Sequence, residues 1–465
     1  MTAGVIPAAV LELLPAEAWI VGGAVRDEIL GRPVLDLDLV VPSDPEIAAR
    51  AFAATAGKAA VFGLNDEFGA WRVVHHLDRW QVDFSPMDGP TIEDDLSRRD
   101  LTINAIARRV GASGLIDPFG GVGDIEAHRL REVGPGSFES DPLRVLRLAR
   151  FAVVLGFKPQ PSTVELARAS SAALDQVSGE RTFMEFSRII ASRDPVGGIR
   201  LLNELGAVSS VLPELLELEG VAQGRYHHLD CLEHTLLVLQ EAVNLQGNFL
   251  SLGPSGQLAS DLLDGDLGDG ISRWTGVRLA ALLHDIAKGR TRTEFPDGRI
   301  GFPGHDEMGA QMAGEILSRF RVSSRLSTAV RGMIEQHLAA GFLTHKEPVG
   351  RREVYEYLRA CGPTAVDVTV LSVADRLATK GRGSDEAIAR HLHLTDRLLE
   401  AAVAHEVDGE LKPLIRGDEL ASSLGIAQGP QLGVLLAELA TAQYAGDIST
   451  NEAAVEHARS FLSEG

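Results

Sequence analysis

Residues 19–43 read WIVGGAVRDEILGRPVLDLDLVVPS, and this stretch decides the fold predicted for the first part of the chain. A short apolar run closes on two glycines, and the segment after it has helical character and stops at Gly31. VLDLDLVV then alternates Asp with Leu and Val, the period-two pattern of a β-strand. Because glycine commonly follows the last residue of a helix, the stretch predicts strand, helix and strand in that order.

Outward from this unit, the sequence predicts an α/β head followed by helices. Residues 44–57 are expected to form a helix, and residues 71–76 and 80–85 are expected to form strands. From about Ile125 onward no further strands are predicted. Helices are expected instead over residues 144–157, 162–174, 180–192 and 197–204, and again after Trp274. Residues 246–270 are rich in Gly, Ser and Asp and predict a flexible loop.

The composition is that of a globular protein with several domains. A chain of 465 residues predicts roughly two to four domains. The net charge of −21 argues against a protein that binds nucleic acid over its whole surface, so any RNA contact should come from local clusters of arginine. Two cysteines cannot form a disulfide framework, which favours a reducing, cytoplasmic compartment. We expect no signal peptide and no membrane span.

Asp36 and Asp38 are the first candidate catalytic residues. Side chains two residues apart in a strand point to the same face. Two carboxylates on one face repel each other unless a cation neutralises them, and hard oxygen ligands suit Mg²⁺. The pattern therefore indicates either a two-metal site or an exposed strand with alternating polar residues.

The glycines before the helix favour the first of these alternatives. Gly22 and Gly23 lie between strand and helix, where backbone N–H groups can approach a phosphate. Arg26, in the first turn of the helix, could reach the same phosphate, although it could also be an ordinary surface arginine. GGAVRD followed by DLD indicates phosphate binding more strongly than either motif alone.

Five motifs together resemble one known family. They are VGGAVRD, DLD, RRDLTINAIA at 98–107, DPFGG at 117–121 and DPLRVLRLARFAVVLGF at 141–157. In this order they resemble class II CCA-adding tRNA nucleotidyltransferases and bacterial poly(A) polymerases, of the bacterial type that contains an HD domain. The resemblance extends over essentially the whole chain. It implies that Arg99 contacts the nucleotide phosphates and that Asp100 and Asn104 shape the ribose pocket. Asp100 could alternatively cap a helix formed by LTINAIA.

The family also implies how the nucleobase is read. Asp141 offers acceptors and Arg144 offers a fork of donors, and the family uses such a pair to read the Watson–Crick edge without a template. Arg147 and Arg150 drift around the helix from the base toward the phosphates and the RNA end. The alternative is a solvated charged face with an internal salt bridge between Asp141 and Arg144.

Two departures from the family pattern concern specificity. Ser140 stands where the family usually has Glu, although Asp141 and Arg144 are retained. Between Asp83 and the RRD motif the chain has only FSPMDGPTIEDDLSR, whereas full CCA-adding members often carry a longer flexible loop that switches from C to A. The short segment resembles CC-adding enzymes and puts addition of the final A in doubt. Asp83 is either a third carboxylate or a plain strand residue.

A second constellation lies in the later part of the chain. ALLHDIAK places His284 and Asp285 side by side in an apolar helix, where the pair is costly without a partner or a cation. The order of the histidines and aspartates resembles the HD phosphohydrolase superfamily. The resemblance implies one divalent transition metal (Mn, Ni, Co, Fe or Zn) held by His234, His284, Asp285 and Asp375. The remaining histidines of the set, which could hold a second metal or a phosphate, are His305 and His337. His227 and His228 are interpreted as loop residues.

The predicted fold class is α+β, with a polymerase-β-like head that contains a small mixed sheet. The predicted domains are the head (1–124), a helical neck (125–215), an HD domain (216–400) and a helical tail (401–465). The predicted reaction adds CCA, or only CC, to tRNA from CTP and ATP, with Mg²⁺ at Asp36 and Asp38 and Gly23, Arg26 and Arg99 around the triphosphate. A separate A-adding enzyme is a possible partner.

Three alternatives remain open at this point. They are a poly(A) polymerase, an HD phosphohydrolase whose head binds a regulatory nucleotide, and a non-catalytic RNA-binding scaffold. For RNA, the candidate basic track in the neck comprises Arg168, Arg181, Arg188, Arg193 and Arg200.

Overall fold

The computed structural model describes residues 8–34, 36–57, 59–65, 69–75, 80–224, 229–346, 348–379, 384–409 and 411–464. The chain divides into two compact units, unit 1 from Met1 to Val211 and unit 2 from Leu212 to Gly465. The finer division into head, neck, HD domain and tail stays a prediction. No helix within the described ranges is both long and apolar enough to cross a membrane.

Unit 1 begins with the head and continues into helices. Its elements are α1 (Ala8–Leu11), β1 (Trp19–Val21), α2 (Gly23–Ile29), β2 (Asp36–Val41), α3 (Pro45–Thr55), β3 (Ala59–Asn65), β4 (Ala70–His75), β5 (Trp80–Pro86), α4 (Ile92–Ser97), β6 (Ala107–Arg109), β7 (Leu115–Ile116), α5 (Gly121–Glu126), β8 (Arg129–Leu130), α6 (Ser137–Ser140), α7 (Arg144–Leu155), β9 (Lys158–Pro159), α8 (Pro161–Ser170), α9 (Gly179–Ile190), α10 (Pro195–Glu204) and α11 (Val208–Val211). Two 3₁₀ helices, Thr102–Asn104 and Ser171–Gln176, join them.

The head contains one mixed sheet of seven strands, in the order β3-β4-β5-β2-β1-β6-β7. β2 and β5 run parallel, with Asp38 opposite Asp83, and the other neighbours are antiparallel. On its other side Asp38 is opposite Val21, the residue before the two glycines. The central strand β2 therefore brings the DLD motif, the glycine turn and Asp83 together. The mixed sheet predicted for the head is confirmed.

The alternation in β2 separates a buried face from a polar face. Leu37 and Leu39 are buried, whereas Asp38 is half-buried and Asp36 is exposed. On the buried side Phe52 of α3 packs its ring 5.6 Å from Phe84. Apolar side chains on this face hold the sheet against α3, so the carboxylates are left on the opposite face.

Two local predictions for unit 1 are wrong. The chain does not stop forming strands at about Ile125, because β8 and β9 pair in parallel, with Arg129 opposite Lys158. Each has two residues, which is too short to produce a periodic pattern. LTINAIA is not a regular helix, since only a 3₁₀ turn forms before β6. Ala107 pairs with Val21 in the sheet, and this tertiary pairing outweighs the local helical preference.

Unit 2 is mainly helical. Its elements are α12 (Cys231–Gly247), α13 (Gly256–Leu263), β10 (Asp266–Gly268), β11 (Ile271–Ser272), α14 (Arg273–Leu283), α15 (Lys288–Thr291), β12 (Thr293–Glu294), β13 (Ile300–Gly301), α16 (His305–Arg319), α17 (Ser324–Gln336), α18 (Ala339–Leu343), α19 (Arg351–Cys361), α20 (Ala365–Ala378), α21 (Ser384–Asp408), α22 (Gly417–Leu424), α23 (Pro430–Ala445) and α24 (Asn451–Glu464). Three 3₁₀ helices, Pro213–Leu218, Phe249–Leu252 and Gly362–Thr364, complete it.

The flexible loop predicted over residues 246–270 is also wrong. The segment contains the end of α12, a 3₁₀ helix, α13 and β10. Leu252, Leu263 and Leu267 are buried. These spaced leucines anchor a stretch whose Gly, Ser and Asp content suggested a loop, because burial of apolar side chains stabilises local structure more than composition opposes it.

Candidate active sites

One cavity of about 580 Å³ lies in unit 1 and gathers the residues predicted for nucleotide transfer. Its lining includes all eleven side chains or backbone positions assigned to that reaction from the sequence: Gly23, Arg26, Asp36, Asp38, Arg99, Asp100, Asn104, Asp141, Arg144, Arg147 and Arg150. They come from the glycine turn, β2, the RRD segment and α7, which are up to 127 residues apart in the chain. The fold thus assembles one polar site from motifs that are separate in sequence.

Asp36 and Asp38 line this cavity, and Asp83 lies beside Asp38 on the same face of the sheet. Burial and the neighbouring charges of Asp83 and Asp36 raise the pKa of Asp38 to about 6, although Arg99 opposes the shift. Burial and Asp83 also raise the pKa of Asp36. Such mutual repulsion is relieved by a bound cation, and the all-oxygen donor set fits Mg²⁺.

Asp83 is held by an arginine on the neighbouring strand. Arg72 donates from Nε to Oδ1 at 2.7 Å and from Nη2 to Oδ2 at 2.6 Å. The register opposite Asp38 puts the Asp83 carboxylate on the same face of the sheet as Asp38. Its pairing with Arg72 also gives it a structural role, so both interpretations of Asp83 stay open.

The turn before α2 requires glycine. Gly22 has φ of 67°, in the left-handed region, and a Cβ there would lie 3.0 Å from Nη1 of Arg99 and 3.8 Å from a carboxylate oxygen of Asp38. A larger residue would therefore be strained and would crowd the two side chains. The glycine lets the backbone of the first turn of α2 approach the same space as Arg99 and Asp38.

A chain of hydrogen bonds links the glycine-turn helix to α7. Arg26 Nη1 donates to Asn104 Oδ1 at 2.6 Å, and Asn104 Nδ2 donates to Asp100 Oδ1 at 2.9 Å. Arg147 Nε donates to the other oxygen of Asp100 at 2.7 Å. Burial alone would raise the pKa of Asp100, but the charge of Arg147 and these hydrogen bonds hold it well below its ordinary value.

The helix-capping alternative for Asp100 is wrong. Its Oδ1 accepts from the backbone N–H of Leu101, the next residue, and no regular helix follows. The carboxylate instead orders the buried cluster of Asn104 and Arg147, which is where a ribose pocket was predicted.

Arg99 is held in place by a residue that the sequence analysis missed. Asp95 is 7% exposed, and its Oδ1 accepts from Nε and Nη2 of Arg99 at 3.2 and 3.0 Å. Its Oδ2 accepts from the backbone N–H of Asp88 at 3.2 Å. The spacing of four residues between Asp95 and Arg99 is the signal that could have found it.

Asp141 and Arg144 line the cavity, but their side chains are not joined to each other. Both side chains are described, and no ion pair within 4.0 Å links them. Arg144 donates to the carbonyl oxygens of Arg98 at 2.6 Å, Ser137 at 3.0 Å and Arg99 at 3.2 Å. The internal salt bridge offered as an alternative is therefore wrong, and the guanidinium is fixed by backbone oxygens.

Arg147 and Arg150 converge on two further residues absent from the sequence analysis. Glu185, in α9, is 3% exposed and lies 3.1 Å from Nε of Arg150 and 3.6 Å from Nη1 of Arg147. The Phe151 ring has the guanidinium carbons of Arg150, Arg26 and Arg147 at 4.3, 5.2 and 5.5 Å from its centroid. Burial lowers the pKa of Arg150 to about 10. These arginines are organised by a buried carboxylate and an aromatic ring, contacts that no local sequence pattern reveals.

The predicted HD residues meet in unit 2 and form two groups that could hold metal ions. The first group is His234, His284 and Asp375, and the second is Asp285, His305 and His337. Asp285, a member of the second group, also lies close to the first. Its Oδ2 is 3.1 Å from His284 Nε2, and its Oδ1 is 3.5 Å from His305 Nε2. These residues would hold either one metal with neighbouring histidines or two metals, and Asp285 is within reach of both groups.

Three of the histidines are oriented in the same way. Nδ1 of His284, His305 and His337 lies 2.9, 2.7 and 2.6 Å from the carbonyl oxygen three residues earlier in the chain. A ring that donates from Nδ1 leaves Nε2 as the ligand atom. His284 Nε2 is buried and has no hydrogen-bond partner among the described residues. Burial lowers the pKa of His337 to about 4, which keeps the imidazole neutral as metal binding requires.

The cavity beside these groups has a volume of about 400 Å³ and a cationic lining. Lys288, which the sequence analysis did not single out, places Nζ 2.6 Å from Asp285 Oδ2. Arg376 and Arg390 also line the cavity. This lining suits an anionic ligand. His227 and His228 lie outside the described residues.

Three family models match consecutive parts of the chain. The Poly A polymerase head domain matches residues 18–131. The probable RNA and SrmB-binding site of polymerase A matches residues 156–218, and the HD domain matches residues 265–380. Along the chain the three matches follow one another as head, RNA-binding site and HD domain.

Curated relatives and solved structures resemble nearly the whole chain. The A-adding tRNA nucleotidyltransferase of Deinococcus radiodurans is 35% identical over 96% of this chain and 95% of the relative. The CC-adding tRNA nucleotidyltransferase of Thermus thermophilus is 33% identical over 96% and 93%. The CCA-adding enzyme of Thermotoga maritima, solved in complex with tRNA, has a TM-score of 0.59 at 20% identity and covers 98% of this chain and 95% of its own, which shows a shared fold. The chain belongs to the family of tRNA nucleotidyltransferases and poly(A) polymerases in which an HD domain follows the nucleotidyltransferase head.

Proposed function

We propose that this protein adds two C residues to the 3′ end of cytoplasmic tRNA, using CTP and no nucleic-acid template. The observation that supports nucleotide transfer is the single cavity in which the carboxylates of β2, the Arg99 region and the Asp141–Arg144 pair all meet. A polymerase needs a metal site, a triphosphate site and a base-reading site that lie within the length of one bound nucleotide. The cavity is large enough for one nucleotide.

In the proposed mechanism, the 3′ oxygen of the RNA attacks the α-phosphorus of CTP. The bond from that phosphorus to the bridging oxygen breaks, pyrophosphate leaves, and the hydroxyl proton passes to solvent. Asp36 and Asp38 would hold Mg²⁺, and the ion would supply positive charge that lowers the pKa of the attacking hydroxyl and offsets the charge of the leaving pyrophosphate. The backbone at Gly23, with Arg26 and Arg99, binds the triphosphate.

The nucleoside is bound by residues from two parts of the cavity. Asp100 and Asn104 form the polar side that would meet the ribose hydroxyls, and Arg147 and Arg150 extend the positive charge toward the phosphates and the RNA end. Asp141 accepts a hydrogen bond from the amino group of cytosine, while Arg144 donates to its ring nitrogen and carbonyl oxygen.

The restriction to C is supported by the segment between β5 and α4. Met87 N donates to Val41 O at 3.2 Å, and Thr91 and Asp94 form a capping box at the start of α4. Gly89 has φ of 125°, and a Cβ there would lie 2.6 Å from the Cβ of Asp94. The connection is short and tied at both ends, so it offers no long lever for a switch from C to A. A separate A-adding enzyme would then complete the tRNA end.

Addition of the terminal A alone is the second candidate, because the Deinococcus radiodurans relative is named an A-adding enzyme. Two substrates separate the candidates: tRNA that lacks CCA and tRNA that ends in CC, each incubated with CTP, ATP or both and then sequenced at the 3′ end. Extension of the first by two C residues, with no reaction of the second, supports the proposal. Extension of only the second shows A addition, and full extension of the first to CCA shows that the short segment does not limit specificity.

We further propose that the HD groups bind a divalent transition metal and hydrolyse phosphoesters. The support is the buried His and Asp set beside a cationic cavity. The test is hydrolysis of a chromogenic phosphodiester after loading with Mn, Ni, Co, Fe or Zn. The Asp285→Ala variant should lose the activity, and a wild-type protein inactive with all five metals would contradict the proposal.

A further inference from the structure

The carboxylate of Asp141 is held from two sides. Oδ1 accepts from the backbone N–H of Leu143 at 3.2 Å, and Oδ2 accepts from Nη2 of Arg181 at 2.9 Å. Arg181 lies in the first turn of α9, where its own backbone N–H donates to Ser178 at 3.4 Å. Both Arg181 and Asp141 line the cavity. A neck helix therefore reaches the side chain proposed to read the amino group of the base.

The second base-reading residue is fixed in a different way. Arg144 is bound by backbone carbonyl oxygens of Arg98, Arg99 and Ser137, so its orientation follows from the path of the main chain. Asp141 instead depends on one side chain that is half-exposed. Of the two, Asp141 is the one whose orientation a single substitution can release.

We infer that Arg181 is a positioning residue for nucleobase selection, an inference that rests on the proposed function. A carboxylate offers about four lone-pair directions. Leu143 and Arg181 use two of them, which fixes the plane of the carboxylate and leaves the others for a donor on the base. The amino group of cytosine or adenine can donate to the free lone pairs of Asp141. The carbonyl oxygen at the same position of uracil or guanine is repelled by the carboxylate.

Loss of Arg181 frees the Asp141 carboxylate to rotate. Repulsion of uracil then weakens, because the carboxylate can turn away from the carbonyl oxygen. Binding of the triphosphate is unaffected, since Gly23, Arg26 and Arg99 do not depend on Arg181. The signature is thus a fall in the preference for CTP over UTP, or for ATP over GTP, and not a general loss of rate.

An RNA-contact role for Arg181 makes a different prediction. Removal of an arginine that binds tRNA phosphate raises KM for tRNA and leaves the choice among nucleotides unchanged. A purely structural role lowers kcat for every nucleotide in the same proportion. Nucleotide preference therefore separates a positioning role from both.

The experiment compares Arg181→Ala, Arg181→Lys and wild type with tRNA lacking CCA, measuring kcat and KM for each of the four nucleotides. The control is Arg50→Ala, which removes an exposed arginine paired with Glu46 at 2.8 Å in the same unit but outside the cavity. We expect the CTP to UTP ratio of kcat/KM to fall about tenfold in Arg181→Ala, the size of one charge-assisted hydrogen bond. Arg181→Lys should restore part of the CTP to UTP ratio. KM for tRNA should be the same in all variants, and Arg50→Ala should match wild type in every measurement.

An unchanged nucleotide ratio in an active Arg181→Ala protein, or a change confined to KM for tRNA, overturns the inference and leaves the proposed function standing. If the alanine variant folds poorly, Arg181→Lys is decisive by itself, since a single lysine donor should give a ratio between those of wild type and the unselective limit. A wild type that incorporates no nucleotide overturns the proposed function and this inference together.

Discussion

Replacement of Arg147 by methionine should destabilise unit 1 in a way that depends on pH. Asp100 is 5% exposed, and Arg147 provides the charge opposite it at 2.7 Å. Methionine keeps the apolar stem but leaves the carboxylate unpaired. Breaking a fully buried ion pair costs about 3–5 kcal/mol. Here Asp100 keeps its bonds from Leu101 and Asn104, and Arg147 is about a third exposed, so we expect about 2–3 kcal/mol.

The sign of the pH dependence follows from the pKa of Asp100. In the wild type it lies below the ordinary value, so the pair contributes its full stability above about pH 4, and that contribution is lost as the pH falls further. In the variant, burial without Arg147 raises the pKa above the unfolded value. The penalty is then greatest near pH 7 and shrinks toward pH 5 as the carboxyl takes up a proton.

Urea denaturation followed by tryptophan fluorescence measures this effect. Three of the four tryptophans, Trp19, Trp71 and Trp80, lie in unit 1, so the signal reports chiefly on that unit. The Arg147→Met and Asp100→Asn double variant should be more stable than Arg147→Met alone, because the unpaired charge is gone. The exposed pair of Arg50 and Glu46 serves as the control, and Arg50→Met should cost less than about 1 kcal/mol. A cost for Arg147→Met that equals the control, or does not change between pH 5 and 7, would refute the reasoning.

Four further outcomes are expected. Asp38→Ala should abolish nucleotide addition while phosphoester hydrolysis by the HD groups continues. Incorporation of nucleotides at the wild-type rate by the folded variant would contradict the proposed metal site. Arg144→Ala should relax base choice by about 1–3 kcal/mol in competition assays, and unchanged selectivity would mean that the base is read elsewhere. Asp285→Ala should lose bound transition metal in elemental analysis and keep nucleotide addition, whereas retained metal would contradict a ligand role for Asp285. tRNA affinity should fall with salt at a slope of about −0.7 to −0.9 per phosphate contact, and salt-independent binding would exclude a basic track.

The strand that carries Asp36 and Asp38, and the face on which they lie, could be predicted from the sequence because the signal is local. Asp36 and Asp38 alternate with Leu37 and Leu39 over the first four residues of β2, which specifies both the strand and the face. The helical assignment of α7 follows in the same way from its periodic apolar side chains. Because these features depend only on neighbouring residues in the chain, they can be predicted from one sequence.

The supporting residues could not be predicted because their partners are distant in the chain. Glu185 is 35 residues from Arg150, and Arg181 is 40 residues from Asp141. Their positions depend on how α9 packs against α7, which no local pattern encodes. For residues 246–270 the local composition predicted a loop, and the prediction was wrong because buried leucines stabilise helices and a strand there.

Two helices of unit 2 end at the HD groups, and this has an electrostatic consequence. α14 ends at Leu283, immediately before His284, and α17 ends at Gln336, immediately before His337. The end of a helix carries a partial negative charge of about half an elementary charge from its aligned peptide dipoles. Because His284 and His337 directly follow these two helix ends, both ends would favour a divalent cation held by the HD groups. The backbone would then contribute to metal affinity, and that contribution would survive replacement of any single ligand side chain.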